Sequence, residues 1–468
     1  MNRFIYILLF SFSCSYGQGV NYTTDYQPIE FTGRIPAHYL SMMDIENDDP
    51  EQETALTAIG NYHLSQLFRK GEIYINDDIS KYINSLLQKI KSKNPEVRNR
   101  IYVYLCKSQH TDIFSTPSGN IFMSLGLLSK VKDENELAFL IAKEIAHIKN
   151  NHPYVAPIKR RNIAHLILTR GSTFLETSNH FSRSIPYKLK SDKEAISLIQ
   201  NAGFEAENAI TVIELLNINN QTPDDGPINY SAIFNTDSVK IDPAFFSSHD
   251  PSDDPTIKGF ADNFTINNNA LLVSPIQSEI TIRLDSLAKF INKLNQSTIT
   301  SLQSDSLFRE IHTITQFEMV ELTFNQTNYI KSLVVISKLA GQYPENIYLK
   351  AKLIENLYAL YYFKSIWKVT ALIDERNTDH NYIAIGNMIK RVPTKDLLVL
   401  CYEHIKQLYN NNKENGELII LMAKIDETKY NIAHAKPFYK AYRKQFSNGK
   451  HSEFARAKML SLLEEQSQ

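Results

Sequence analysis

The chain has 468 residues, 43% of them hydrophobic, enough to bury the cores of two or three domains. Its 50 basic and 51 acidic residues leave a net charge of −1, which excludes a global field drawing it to nucleic acid or an anionic membrane surface. With 25 Tyr, 24 Phe and only 15 Gly, the composition is that of a folded, mostly helical protein, neither disordered nor fibrous.

The N-terminus reads as an export signal: Arg3 supplies positive charge, Phe4 to Phe12 form a short apolar run, and small residues follow at Ser15 and Gly17. Cleavage after Gly17 is the first reading, and a lipid-modified Cys14 is its rival. No later stretch reaches about 18 uninterrupted apolar residues, so no transmembrane helix is expected. A mature chain keeps Cys106 and Cys401, too few for a disulfide framework and not spaced for metal, so two buried thiols are expected.

Residues 18–60 are polar and irregular, with an acidic patch from Asp44 to Glu53. From Asp77, apolar residues at 79, 82, 83, 86, 87 and 90 predict a helix, and Ile101–Leu105 and Ile121–Met123 read as strands around a Thr116–Asn120 turn. Asp133 is a predicted N-cap for a helix running to about Asn150 and ended by Pro153. Further helices are predicted over 163–175, 192–201 with Gly203 as C-cap, and 206–216. Residues 218–275 carry strong turn signals, and beyond Ile276 nearly everything is helical. Segments 329–339, 345–360, 363–373, 417–425 and 434–445 read as stacked helical hairpins, either a degenerate tetratricopeptide-like (TPR-like) array or an ordinary bundle.

The segment that carries chemistry is Lys143-Glu144-Ile-Ala-His147, followed by His152. Zinc peptidases of the HExxH type place two histidines at i and i+4 on one helix face, with the intervening Glu as general base on the metal-bound water. Here Glu144 and His147 stand in place, and Lys143 holds the position of the first histidine. Asp112 to Val131, with its strand, turn and following helix, then Asp133 to Ala142 leading into the motif, then Ala202-Gly203-Phe204 after a helix, together resemble the M48 zinc-metallopeptidase family, in its BepA-like group. The resemblance spans about residues 70–260, and Ser248-His249-Asp250-Pro251 is similar to a further histidine segment of that family.

The resemblance implies an HExxH-type α+β domain followed by a helical, TPR-like domain. The expected division is 1–17 signal peptide, 18–265 peptidase-like domain, 266–325 helical linker and 326–468 TPR-like domain. It also implies a third zinc ligand, a Glu four residues before an Asp in an ExxAD pattern. Counting back from Gly203 places that Asp at Asp192, a residue supporting the metal ligands, and the ligand position at Lys188. Lysine ammonium offers three donors and no lone pair, so two lysines leave His147 as the remaining metal ligand and Glu144 a vestigial base. Zinc is the family's cofactor, and none is expected here. Either Lys143 or Lys188 replaces the metal's charge by pairing with Glu144 or Asp192, or both lysines reach to solvent. A shifted metal site of His147, His152 and His249 is a further alternative; His110, His165 and His180 are not spaced as ligands.

Three functions stay open. One is an exported pseudopeptidase that binds peptides or proteins along the cleft's edge strand, taken as Gly119–Ser124, or on the helical array. The second is an active metalloendopeptidase with an altered site, and the third a structural spacer. The resemblance implies the periplasm and association with outer-membrane protein assembly. No Gly-rich phosphate loop, nucleophile elbow or CxxC is present, and scattered lysines give no nucleic-acid surface.

Overall fold

The computed structural model describes residues 67, 70–97, 100–116, 119–152, 183–217, 228–246, 275–294, 306–366, 373 and 379–465. They fall into two compact units: 67–217 with 275–322, and 228–246 with 323–465. The export signal, the helix expected over 163–175, the tail of that expected over 363–373, and His165, His180 and His249 lie outside the described residues.

In chain order the first unit comprises α1 (Asp77–Lys93), β1 (Tyr102–Cys106), β2 (Ile113–Ser115), β3 (Asn120–Ser124), α2 (Leu125–Leu128), α3 (Glu134–Lys149), α4 (Ile185–Asn201) and α5 (Ala209–Asn217). After α6 (Tyr230–Phe234), which belongs to the second unit, come α7 (Pro275–Leu294) and α8 (Ser306–Asn325, within this unit up to 322). Asn76 starts α1 by accepting from the backbone N–H groups of Asp78 and Ile79, both at 3.1 Å. The stripe Ile79, Ile83, Leu87 and Ile90 is buried against β1, α3 and α4.

The described strands order as β1-β3-β2, with β3 parallel to β1 and antiparallel to β2. The strand expected as the free edge, Gly119–Ser124, is therefore the middle one. Its alternation is short and fully buried, and nothing in that pattern distinguishes a central from an outer strand. Gly119 makes the turn into it at φ +83°, where a Cβ would lie 2.0 Å from the Arg100 carbonyl oxygen.

Helix α3 is the unit's axis. Asp133 accepts from the Glu136 N–H at 2.9 Å, and the Glu136 carboxylate reaches back to the Lys132 N–H at 2.7 Å. Every residue from Asn135 to Ile148 is buried, as the helix packs on α4, α5, α1 and β2. Helix α4 begins at Ile185, seven residues before the expected start. Pro186 sits in its first turn, where the missing N–H costs nothing, and the polar residues Lys188, Lys190, Ser191 and Asp192 mask its apolar period.

The second unit holds α6 (Tyr230–Phe234), a 3₁₀ turn (Pro243–Phe246), α9 (Tyr329–Gln342), α10 (Ile347–Ile366), α11 (His380–Arg391), α12 (Thr394–Asn411), α13 (Gly416–Lys429), α14 (Ile432–Gln445) and α15 (Ser452–Glu465). Consecutive helices pack on one another through α9/α10 and from α12 to α15. Asn328, Asp379, Asn415 and Asn431 cap α9, α11, α13 and α14 with their side-chain oxygens. The break expected between 360 and 363 is absent: α10 runs through Tyr361-Tyr362, since no glycine, proline or capping residue interrupts it. Among the described residues no helix is long and apolar enough to cross a membrane, and Cys106 and Cys401 are both buried free thiols.

Candidate functional site

The expected site residues converge between α3 and α4. Lys143, Glu144 and His147 lie on α3, all buried, and the Lys143 ammonium pairs with the Oε1 of Glu144. Oε2 of Glu144 accepts from the Ser115 hydroxyl at 2.7 Å, so both carboxylate oxygens are engaged. Burial alone would push the Glu144 carboxyl up. Lys143, His147 and Arg183 outweigh it and hold the group down to about 2, so it is a carboxylate across the neutral range.

His147 is engaged at both nitrogens. Nε2 lies 2.8 Å from Oγ of Ser191 on α4, and Nδ1 lies 3.0 Å from Nδ1 of His152. The second contact follows from how α3 ends. Asn151 takes the left-handed conformation at φ +47°, its N–H bonds to the Ile148 carbonyl, and the His152 N–H bonds to the His147 carbonyl. This is a Schellman cap with Asn in the usual glycine position, and it folds His152 back onto His147. The Ser191 hydroxyl also reaches the Tyr187 and Lys188 carbonyls at 2.9 and 3.0 Å, and the His152 ring packs on Tyr187. Burial pushes the His147 imidazolium down to about 2, and Lys143 and Arg183 push the same way against Glu144. His152 is lowered too, by burial and then by Lys190 and Arg183. The 3.0 Å contact is a hydrogen bond when one Nδ1 carries the proton and the other offers its lone pair. Among the described residues His152 Nε2 is buried without a hydrogen-bond partner.

Lys188 and Asp192 do not pair with each other. Lys188 binds Glu279 of α7 at 2.8 Å. Asp192 is fully buried and takes a two-pronged bond from Arg283 of α7, Nε to Oδ2 at 2.8 Å and Nη2 to Oδ1 at 2.9 Å. The cation that answers Asp192 is thus an arginine from a helix 91 residues away. Its trace in the sequence is a charge inside the buried stripe Ile280, Leu287 and Ile291, where the helical period calls for an apolar side chain.

The described residues do not fit a zinc ion. A catalytic zinc needs three protein lone pairs. Lys143 and Lys188 have none to give, and the Nε2 of His147 already faces the Ser191 hydroxyl. Among the described residues no three His, Cys, Asp or Glu side chains stand together as a metal-holding group. Each of the two buried carboxylates has a cation beside it: Lys143 at Glu144 and Arg283 at Asp192.

The outer described strand beside this site is β2. Its Asp112 and Thr116 flanks bond to β3 through Ser124 N–H and Asn120 C=O, so Ile113 and Ser115 turn their backbone groups away from the sheet. Two of those outward groups are filled from within. The Ile113 N–H goes to the Asp112 carboxylate at 2.8 Å, and the Ser115 carbonyl accepts from Arg183 Nη2 at 3.3 Å. Sequence reading singled out neither Ser115 nor Arg183, and no spacing signal marks them.

Comparison with known proteins places residues 75–255 in a match to the profile of peptidase family M48. Among curated proteins, the chain is similar to a beta-barrel assembly-enhancing protease of Yersinia pestis, 25% identical over 109 residues, 23% of this chain and 22% of that protein. It is similar also to a beta-barrel assembly-enhancing protease of Escherichia coli (strain K12), 30% identical over 95 residues, 20% of this chain and 19% of that protein. The chain thus spans about a fifth of the length of these curated relatives.

Proposed function

We propose that this chain, whose residues 75–255 belong to peptidase family M48, is an exported pseudopeptidase: a peptide- or protein-binding module of the periplasm or outer-membrane face that holds no zinc. The observation that carries the reading is the pairing of Ser191 with His147 Nε2 while Lys143 occupies Glu144. The general base has no metal-bound water to act on, and its oxygens are committed to Lys143 and Ser115. Each departure from the family's ligand set is matched by an internal partner, which is the pattern of a site rebuilt for stability. The relatives named for enhancing beta-barrel assembly supply the partner class we carry over, proteins of the outer-membrane assembly machinery.

The capped outer strand favours the helical unit over the cleft as the binding surface, because a peptide adding to β2 would first have to displace Asp112 and Arg183. The test is digestion of an unfolded substrate such as casein by the purified full chain with zinc in the buffer. No cleavage above that of Glu144→Gln is expected. Cleavage that is lost in Glu144→Gln and on chelation would overturn the reading in favour of an active metalloendopeptidase.

A further inference from the structure

Tyrosines gather around the C-terminal end of α13 in the second unit. Tyr358 and Tyr362 of α10 both reach the Thr428 hydroxyl of α13, at 2.5 and 3.1 Å, and Tyr361 packs on both. Tyr402 of α12 meets Tyr430, just past α13, edge to face at a centroid distance of 5.7 Å. Tyr430 is 50% exposed and Tyr362 43% exposed, and Ile366, one turn after Tyr362 on α10, is 58% exposed. Such rings expose apolar area that few monomeric surfaces spend without a use.

Two lysines complete the face. Lys429 lies 3.6 Å from the centroid of Tyr402 and 5.2 Å from that of Tyr430, and Lys406 lies 6.0 Å from Tyr402. Among the described residues neither ammonium makes an ion pair; each is held over tyrosine faces. Two carboxylates lie near these lysines. Asp426 is buried and takes His434, and Glu403 accepts from the Ser238 N–H while Lys429 helps to hold its carboxyl down. The face therefore presents two lysines set among aromatic rings, with Asp426 turned inward and Glu403 bonded to the Ser238 N–H. Tyrosine gives large contact area at low entropic cost, and a charge-complementary partner gains most in specificity and encounter rate.

We infer that this tyrosine–lysine face of α10, α12 and α13 is a docking surface for an extended, Asp/Glu-rich segment of a partner protein. Its carboxylates meet Lys406 and Lys429, and its backbone lies across Tyr362, Tyr402 and Tyr430. Two lysines on a chain of net charge −1 suit carboxylates spaced along a peptide better than a polyphosphate. The inference deepens the binding-module reading by giving the partner's chemistry.

The experiment is fluorescence anisotropy on the full chain with three labelled probes: a Glu/Asp-rich peptide, a Gly/Ser peptide of equal length and a single-stranded oligonucleotide. The acidic peptide should bind, and weaken as salt rises. Reversing both charges, Lys406→Glu with Lys429→Glu, should lower its affinity by at least about tenfold, with the circular dichroism spectrum unchanged. The milder Lys406→Gln with Lys429→Gln should lower it less, and Ser191→Ala in the cleft should leave it unaltered. No binding, equal binding of the neutral peptide, indifference to charge reversal, or tighter binding of the oligonucleotide would each overturn the inference. A chain that digests casein yet keeps acidic-peptide binding would overturn the pseudopeptidase reading and leave this surface standing.

Discussion

The hydroxyl of Ser191 lies 2.8 Å from Nε2 of His147, the ring nitrogen through which a histidine at this motif position would reach a metal. Ser191 stands directly before Asp192, and Asp192 is itself locked by Arg283. Two consecutive residues of α4 thus bind α3 on one side and α7 on the other.

Removing the hydroxyl tests the first link. Ser191→Ala leaves the Nε2 of His147 buried without a partner, which costs about 1–3 kcal/mol. Urea denaturation should show this as a lower midpoint at unchanged slope. Zinc content should not rise, since Lys143 and Lys188 remain.

Breaking the second link is expected to cost more. Arg283→Met leaves a fully buried carboxylate uncompensated, and about 3–5 kcal/mol of stability should be lost. Pairing it with Asp192→Leu removes the stranded charge and should recover most of the loss, which a double-mutant cycle measures. An additive outcome would mean that the two groups do not depend on each other.

Acid should unfold the first unit early. Burial lowers the His147 imidazolium from 6.5 to about 2; Lys143, His147 and Arg183 overcome burial to lower Glu144 from 4.5 to about 2. Between these values the unfolded chain binds protons that the folded chain does not, so stability falls as pH drops from 6.5 toward about 2. The loss begins with His147 below 6.5 and steepens below 4.5 as Glu144 joins. Melting temperatures across this range check it, and His147→Phe should flatten the upper part of the curve.

Rebuilding the ligands should restore metal binding. Lys143→His and Lys188→Glu return the two missing lone-pair donors, Ser191→Ala frees the Nε2 of His147, and Glu279→Gln relieves repulsion where Lys188 now pairs. The quadruple variant is expected to hold about one zinc per chain, the stoichiometry of a single catalytic site. Metal analysis after dialysis without chelator measures it.

Part of this geometry was legible in the sequence: the Asp133 N-cap and the apolar period located α3, which carries Lys143, Glu144 and His147, to within a residue. The partners were harder to see. Ser191 was visible as a departure before Asp192, but its aim at His147 depends on the Schellman cap and on how α4 crosses α3. Arg283 lies 91 positions from Asp192, and only its intrusion into an apolar stripe hinted at a buried role. The strand order was hidden because β2 and β3 are both short and fully buried, so neither shows the alternation that marks a solvent-facing strand. The early start of α4 was masked by the polar residues Lys188, Lys190, Ser191 and Asp192, whose buried members are satisfied by α3 and α7.

The most direct measurement is the zinc content per mole of full chain, expressed with zinc available and purified without chelator. The expected result is close to zero, with a melting temperature that chelator does not change. A content near one, lost on His147→Ala, would contradict the rebuilt site and return the chain to the working metalloendopeptidases.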